Sequence, residues 1–212
     1  PRGLPPGGII NWGAGFLPAE HQATTLDTTN PKQPIADLFP PDDVPEVTPA
    51  ADQAGLNFLQ KLNRLHREPR RGNSELDARI KAYEMAARLQ LSAPEVTDLS
   101  KETTATKELY NIDDAEIGPF GRQCLLARRL VEQGVRFVQL FDCGWDIHWT
   151  GSHDDLVTQF PKKCRESDRP IAALLADLKQ RGLLDQTLVI WSGEFGRTPM
   201  NEARGGSKFW GR

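Results

Sequence analysis

The sequence predicts an α/β fold, a mainly parallel sheet flanked by helices, with a helical hairpin inserted ahead of it. Three observations predict it. From residue 117 onward, amphipathic helical patterns alternate with short apolar runs rich in β-formers, the order of parallel βαβ units. Between residues 48 and 93 stand two consecutive stretches with leucines at helical spacing. Before them, the first 49 residues hold ten of the sixteen prolines, too many for regular structure.

Residues 1–47 are therefore read as an irregular loop region, with Trp12, Phe16, Leu17 and Phe39 as its contacts to a core. A loop of that length inside a domain often lines a functional cleft. Residues 48–93 are read as the helical hairpin. Thr48 suits a cap and Pro49 the first helical position, and Leu56, Leu59, Leu62 and Leu65 form the apolar stripe. The run Glu68-Pro69-Arg70-Arg71-Gly72-Asn73 breaks that helix. A second helix is expected after Asn73 or Ser74, carrying Leu76, Ile80, Tyr83, Ala87 and Leu91, until Pro94 closes it. Residues 95–116 are polar and read as loop.

Residues 117–212 form the expected α/β core. Residues 120–133 are an amphipathic helix that Gly134 ends, and 135–142, VRFVQLFD, a strand. Residues 154–181 are helical, with Pro170 expected to kink or restart the helix and Asp168 as its candidate cap. Residues 187–192, TLVIWS, make a second strand.

Charge excludes one class of partner. Lys plus Arg is 26 against 29 for Asp plus Glu, a net charge of −3, so no basic excess is present to track nucleic-acid phosphates. No apolar run approaches the ~20 residues of a membrane span. The three cysteines, Cys124, Cys143 and Cys164, lack CxxC spacing, and Cys124 and Cys164 fall in helical patterns as buried structural thiols.

Both expected strands end in polar residues. Asp142-Cys143-Gly144-Trp145-Asp146-Ile147-His148 follows the first and Ser192-Gly193-Glu194-Phe195-Gly196-Arg197 the second. In a parallel sheet these tips share the edge where ligands collect. Asp146, His148 and Glu194 would converge there as two carboxylates and an imidazole, a donor set for zinc, manganese or iron. The bland alternatives are a turn residue for Asp146, an interior histidine for His148 and an ion pair between Glu194 and Arg197. His153 is read as a loop residue, and Trp145 and Trp149 as packing or pocket lining.

At these residues the chain resembles known families. TLVIWSGEFG, after a helix ending in ALLADLKQRGLLDQ, looks like the sulfatase pattern of Gly-Leu-Leu-Asp-x-Thr and a strand ending in Ser-Asp-His-Gly. Glu194 then falls on a metal-ligand Asp, while Phe195 replaces a metal-ligand His. GWDIH resembles the Asp-and-His strand of alkaline phosphatases and cofactor-independent phosphoglycerate mutases, with closer spacing. Across nearly the whole chain, GAGFLP (13–18), YEMAARLQ (83–90), RRLVEQGVRFVQL (128–140), GWDIH (144–148) and GEFGRTP (193–199) resemble an uncharacterised sulfatase-like family catalogued as domain of unknown function 1501.

That resemblance implies an alkaline-phosphatase-like sheet, incomplete at both ends, within a partial sulfatase-like domain. It implies two divalent ions of zinc, manganese or calcium type. Asp146 and His148 would hold one, Glu194 would hold the second or bridge, and Arg197 would clamp a substrate oxygen or pair with an acid. The implied activity is hydrolysis of a phosphate or sulfate ester, on a small-molecule or glycan substrate, in a periplasmic or extracellular setting. The nucleophile is expected outside residues 1–212, leaving the fragment itself inactive, and the open edge of an incomplete sheet would make it prone to self-association. The alternatives are a non-catalytic binding module and a phosphomutase or transferase on the same scaffold.

Overall fold

The computed structural model describes residues 48–73, 95–147 and 156–193. It also describes short stretches at 17, 21, 23–28, 30, 35, 76–77, 79–81, 83–84 and 196, and the backbone of 201–204 and 207–211. The chain divides into two compact units, Leu4–Asp98 and Leu99–Arg212, the latter with Pro1–Gly3.

In the first unit, helix α1 spans Pro49–Arg67. Its start follows from two adjacent residues. The Thr48 hydroxyl accepts the Ala51 N–H at 3.3 Å, and Pro49 brings a fixed φ to the first turn, where its missing N–H costs nothing. A 3-10 turn over Glu68–Arg70 ends it. Asn73 Oδ1 then accepts the Leu76 N–H at 2.9 Å and caps a further helical stretch, described at 76–77, 79–81 and 83–84. Arg67 ties the two stretches by an ion pair to Asp77 at 2.6 Å. Phe58, Leu59, Leu62 and Leu65 of α1 are exposed.

The second unit is built on helices. They are α2 (Thr104–Tyr110), α3 (Gly118–Glu132) and α4 (Gln159–Gln180), with 3-10 turns at Leu99–Lys101 and Leu184–Gln186. The largest interhelical contact is between α3 and α4, and α2 packs on both. The shared core contains Tyr110, Ile112, Cys124, Leu125, Ala173, Leu174 and Leu178. Each fully buried leucine side chain contributes about 1.5–3 kcal/mol. Cys124 behaves as a small apolar residue there. Burial, reinforced by the Asp142 charge, pushes its thiol up to about 12, where it is inert. Cys164 is half-buried and Cys143 exposed.

Helices α3 and α4 end in the same way. Gly134 and Gly182 take positive φ, 83° and 69°, which a residue with a Cβ adopts only under strain. Val135 N–H then bonds back to the Leu130 carbonyl and Gly134 N–H to Val131; Leu183 N–H bonds to Leu178 and Gly182 N–H to Lys179. These are two Schellman motifs, which satisfy the last carbonyls and turn the chain back on its helix. From each turn an extended segment leaves, and Leu140 and Val189 press it onto the core.

Those extended segments correct the expected fold class. Residues 135–142 and 187–192 are not strands, and no parallel sheet exists among the described residues. The described strands form one antiparallel hairpin, β1 (Asn201–Arg204) with β2 (Ser207–Gly211), pairing Asn201 with Gly211, Glu202 with Trp210 and Arg204 with Ser207 around a bulge. A strand requires a ladder of hydrogen bonds to a neighbouring strand; VRFVQLFD and TLVIWS have β-forming side chains but pack against the helical core instead. Their outward residues show it: Phe137 is 86% exposed, Leu188 85% and Ile190 76%.

Two further expectations change. The polar stretch 95–116 contains α2, whose start is capped by the Thr103 hydroxyl accepting Thr106 N–H at 3.1 Å. Helix α4 runs unbroken through Pro170, with no restart at Asp168. The ring removes one backbone bond from a 22-residue helix, and its own burial in the core offsets that loss.

Candidate functional site

The extended segment after α3 leads to the tip Asp142–Ile147, which is fastened to α4. Lys163 Nζ lies 2.5 Å from Asp142 Oδ1 and 3.1 Å from Glu166 Oε2. Trp145 Nε1–H donates to the other oxygen, Asp142 Oδ2, at 2.9 Å. The Trp145 ring meets Phe160 edge-on at 6.1 Å, one turn before Lys163 on the same helix. The Lys163 ammonium stands 5.9 Å from the centre of that indole. Ile147 N–H bonds to the Trp145 carbonyl at 2.8 Å, closing a three-residue turn with Asp146 at its apex.

Asp146 is thus exposed, on a turn whose preceding residue is anchored. His148, Glu194 and Arg197, with Phe195, His153 and Trp149, lie outside the described residues. Among the described residues no group of three or more His, Cys, Asp or Glu is placed to hold a metal. The chemistry of the expected donor set, two carboxylates and an imidazole, fits a hard-to-borderline divalent ion; of its three members only Asp146 lies among the described residues. Nothing in the sequence alone singled out Lys163 or Glu166. Their i, i+3 spacing on α4 is an ordinary helix-surface pair, and the partner Asp142 is far away along the chain.

A second polar cluster sits in the core, away from any expected site residue. Arg128 is 1% exposed. Its Nη1 donates to Glu132 Oε2 at 2.6 Å. Nε and Nη2 stand 2.9 Å from Asp177 Oδ2 and 2.8 Å from Glu102 Oε1, close ion pairs whose N–H directions miss the hydrogen-bond range. Arg129 reaches Glu102 at 2.5 Å, and Arg181 reaches Asp177 at 2.7 Å and Glu132 at 2.9 Å. The Tyr110 hydroxyl donates to Asp177 Oδ2 at 3.1 Å. Three arginines face three carboxylates, so the cluster is neutral, as a buried charge set must be. Burial alone would raise the Glu102 carboxyl; hydrogen bonds and charge from Arg129 and Arg128 outweigh it and leave the group below its usual range. Burial, then the Asp177 carboxylate, pushes the Tyr110 phenol upward. Every member is engaged by another, which marks the cluster as a structural tie between α2, α3 and α4.

Fold and tip together define a helix-based domain that carries an acidic turn on an anchored loop. The chain belongs to the protein family of unknown function DUF1501, whose model matches residues 1–212. No curated protein and no solved structure matches it. Among the described residues, no helix is long and apolar enough to cross a membrane.

Proposed function

We propose that the intact protein is a metal-dependent hydrolase of phosphate or sulfate esters, related in its chemistry to the sulfatases. The observation that carries this reading is the anchored turn presenting Asp146, with His148 two residues on and the GEFGRTP motif following the second extended segment. Asp146 and His148 hold one cation, and Glu194 holds a second or bridges. Arg197, whose planar fork suits a tetrahedral anion, binds a non-bridging ester oxygen. Bound divalent ions supply charge for the attacking and leaving oxygens of the displacement.

Metal content of the intact protein tests it, by elemental analysis of wild type, Asp146→Asn and the His148→Ala/Glu194→Ala pair. About two equivalents are expected in wild type, as in two-metal sites, with loss in both variants. Wild type that folds with metal supplied and retains none would sink the reading.

One observation favours a second reading. Phe195 stands where the sulfatase pattern has a metal-ligand histidine, which suits a binding module that has lost catalysis. Metal bound without turnover of phosphate or sulfate esters would select that alternative.

A further inference from the structure

We propose that Lys163 is the positioning residue for the Asp146 carboxylate, an inference that rests on the metal reading above. The tip belongs to no helix or strand, so its conformation depends on side-chain anchors, and those anchors converge on α4, at Lys163 and Phe160. Lys163 is 12% exposed at its side chain and bonds Asp142 Oδ1 from α4, while Trp145 takes Oδ2 from within the tip. Both oxygens of Asp142 are therefore engaged, and Asp142 is held as an anchor for the turn. Gly144 turns the backbone at φ +98°, and Lys163 Cε is within ordinary contact distance, 3.9 Å, of where a Cβ would stand. Phe160 and Lys163 then flank the Trp145 indole, and Trp145 immediately precedes Asp146.

The consequence is preorganisation. A carboxylate on a free loop must be ordered when a cation arrives, whereas one on an anchored turn has been ordered by folding. The electrostatics agree. Lys163 brings one positive charge, but Asp142 and Glu166 surround it with two negative ones, so the anchor does not repel a cation at Asp146. Lys163 touches neither substrate nor metal in this account; it acts through Asp142 and Trp145.

The test is Mn2+ affinity of the intact protein, read from the electron paramagnetic resonance of free Mn2+, alongside the melting temperature and helical circular dichroism. Lys163→Met should weaken Mn2+ binding about 10–100-fold, the usual effect of removing an outer-shell partner, and Lys163→Arg should restore most of it. Trp145→Phe, which removes the second donor to Asp142 while keeping an aromatic ring beside Phe160, should weaken binding in the same direction and serves if Lys163→Met fails to fold. A purely structural lysine would lower the melting temperature and leave affinity unchanged; that result overturns the inference. If Asp146→Asn abolishes binding while Lys163→Met and Trp145→Phe bind as wild type does, the metal reading survives and the positioning role fails. If Asp146→Asn binds as wild type does, the metal reading fails and takes this inference with it.

Discussion

Arg128 and Tyr110 meet at one oxygen: both reach Asp177 Oδ2 on α4, at 2.9 and 3.1 Å, from α3 and α2, which both precede it in sequence. The shared oxygen links the termini of three helices through a group that is itself buried. Removing one member leaves the others charged and unpaired, which is the costly event in a dry interior. Arg128→Met should therefore lose about 3–5 kcal/mol of stability in urea denaturation. Arg128→Lys should recover little, since a single ammonium cannot face three carboxylates in the directions the guanidinium does. A loss well under 1 kcal/mol for both would show that the cluster does not hold the helices together.

Acid should dismantle the same cluster. The Glu102 carboxyl sits below its ordinary 4.5 in the folded chain, so its stabilisation is complete above that value and is lost as pH falls through the lower folded one. Stability measured against pH should stay level down to about pH 4.5 and then decline. Asp114 adds to the decline, because backbone N–H groups of Ile117 and Glu116 depress its carboxyl too. Glu102→Gln should be less stable at neutral pH and show a shallower acid limb than wild type. An unchanged limb would remove Glu102 from the account.

The two Schellman turns give a paired prediction. Gly134→Ala and Gly182→Ala each place a Cβ in the left-handed region, costing about 1–2 kcal/mol. Asn at either position should cost less, because its side chain tolerates that conformation. Equal stability for the alanine variants would mean that the helices end differently.

The extended segments give the sharpest check on the fold. In a buried parallel strand, both Val189 and Ile190 would face packed layers. Here Val189 packs on the helical core and Ile190 is 76% exposed. Val189→Asp should cost roughly 1–3 kcal/mol, and Ile190→Asp should fall within about 0.5 kcal/mol of wild type. Strong destabilisation by Ile190→Asp would restore the sheet.

These elements also show what was legible in the sequence. Helix α1 was, because Thr48-Pro49 and a leucine stripe act locally; so was α3, whose end Gly134 announces. Helix α2 was hidden, since seven residues with only Leu109 and Tyr110 as large apolar side chains carry too little periodicity. The strands were misread for a physical reason. β propensity reports fit to a pleated, half-buried surface, and the flank of a helix pair offers Leu140 and Val189 such a surface without a ladder. In the candidate site, Asp146 stood out by its place after an apolar run. The contact that fixes its loop, Asp142 to Lys163, spans 21 positions and left no local trace.

The Tyr110 hydroxyl carries a last consequence, for measurement rather than for architecture. Its phenol is held protonated past the ordinary value of 10.0 by burial and by Asp177. Unfolding in alkali therefore releases a proton, so stability falls as pH rises above about 10. Phenolate absorbance from Tyr110 would then appear with loss of the native packing, making this side chain a built-in optical gauge of whether α2, α3 and α4 are still joined.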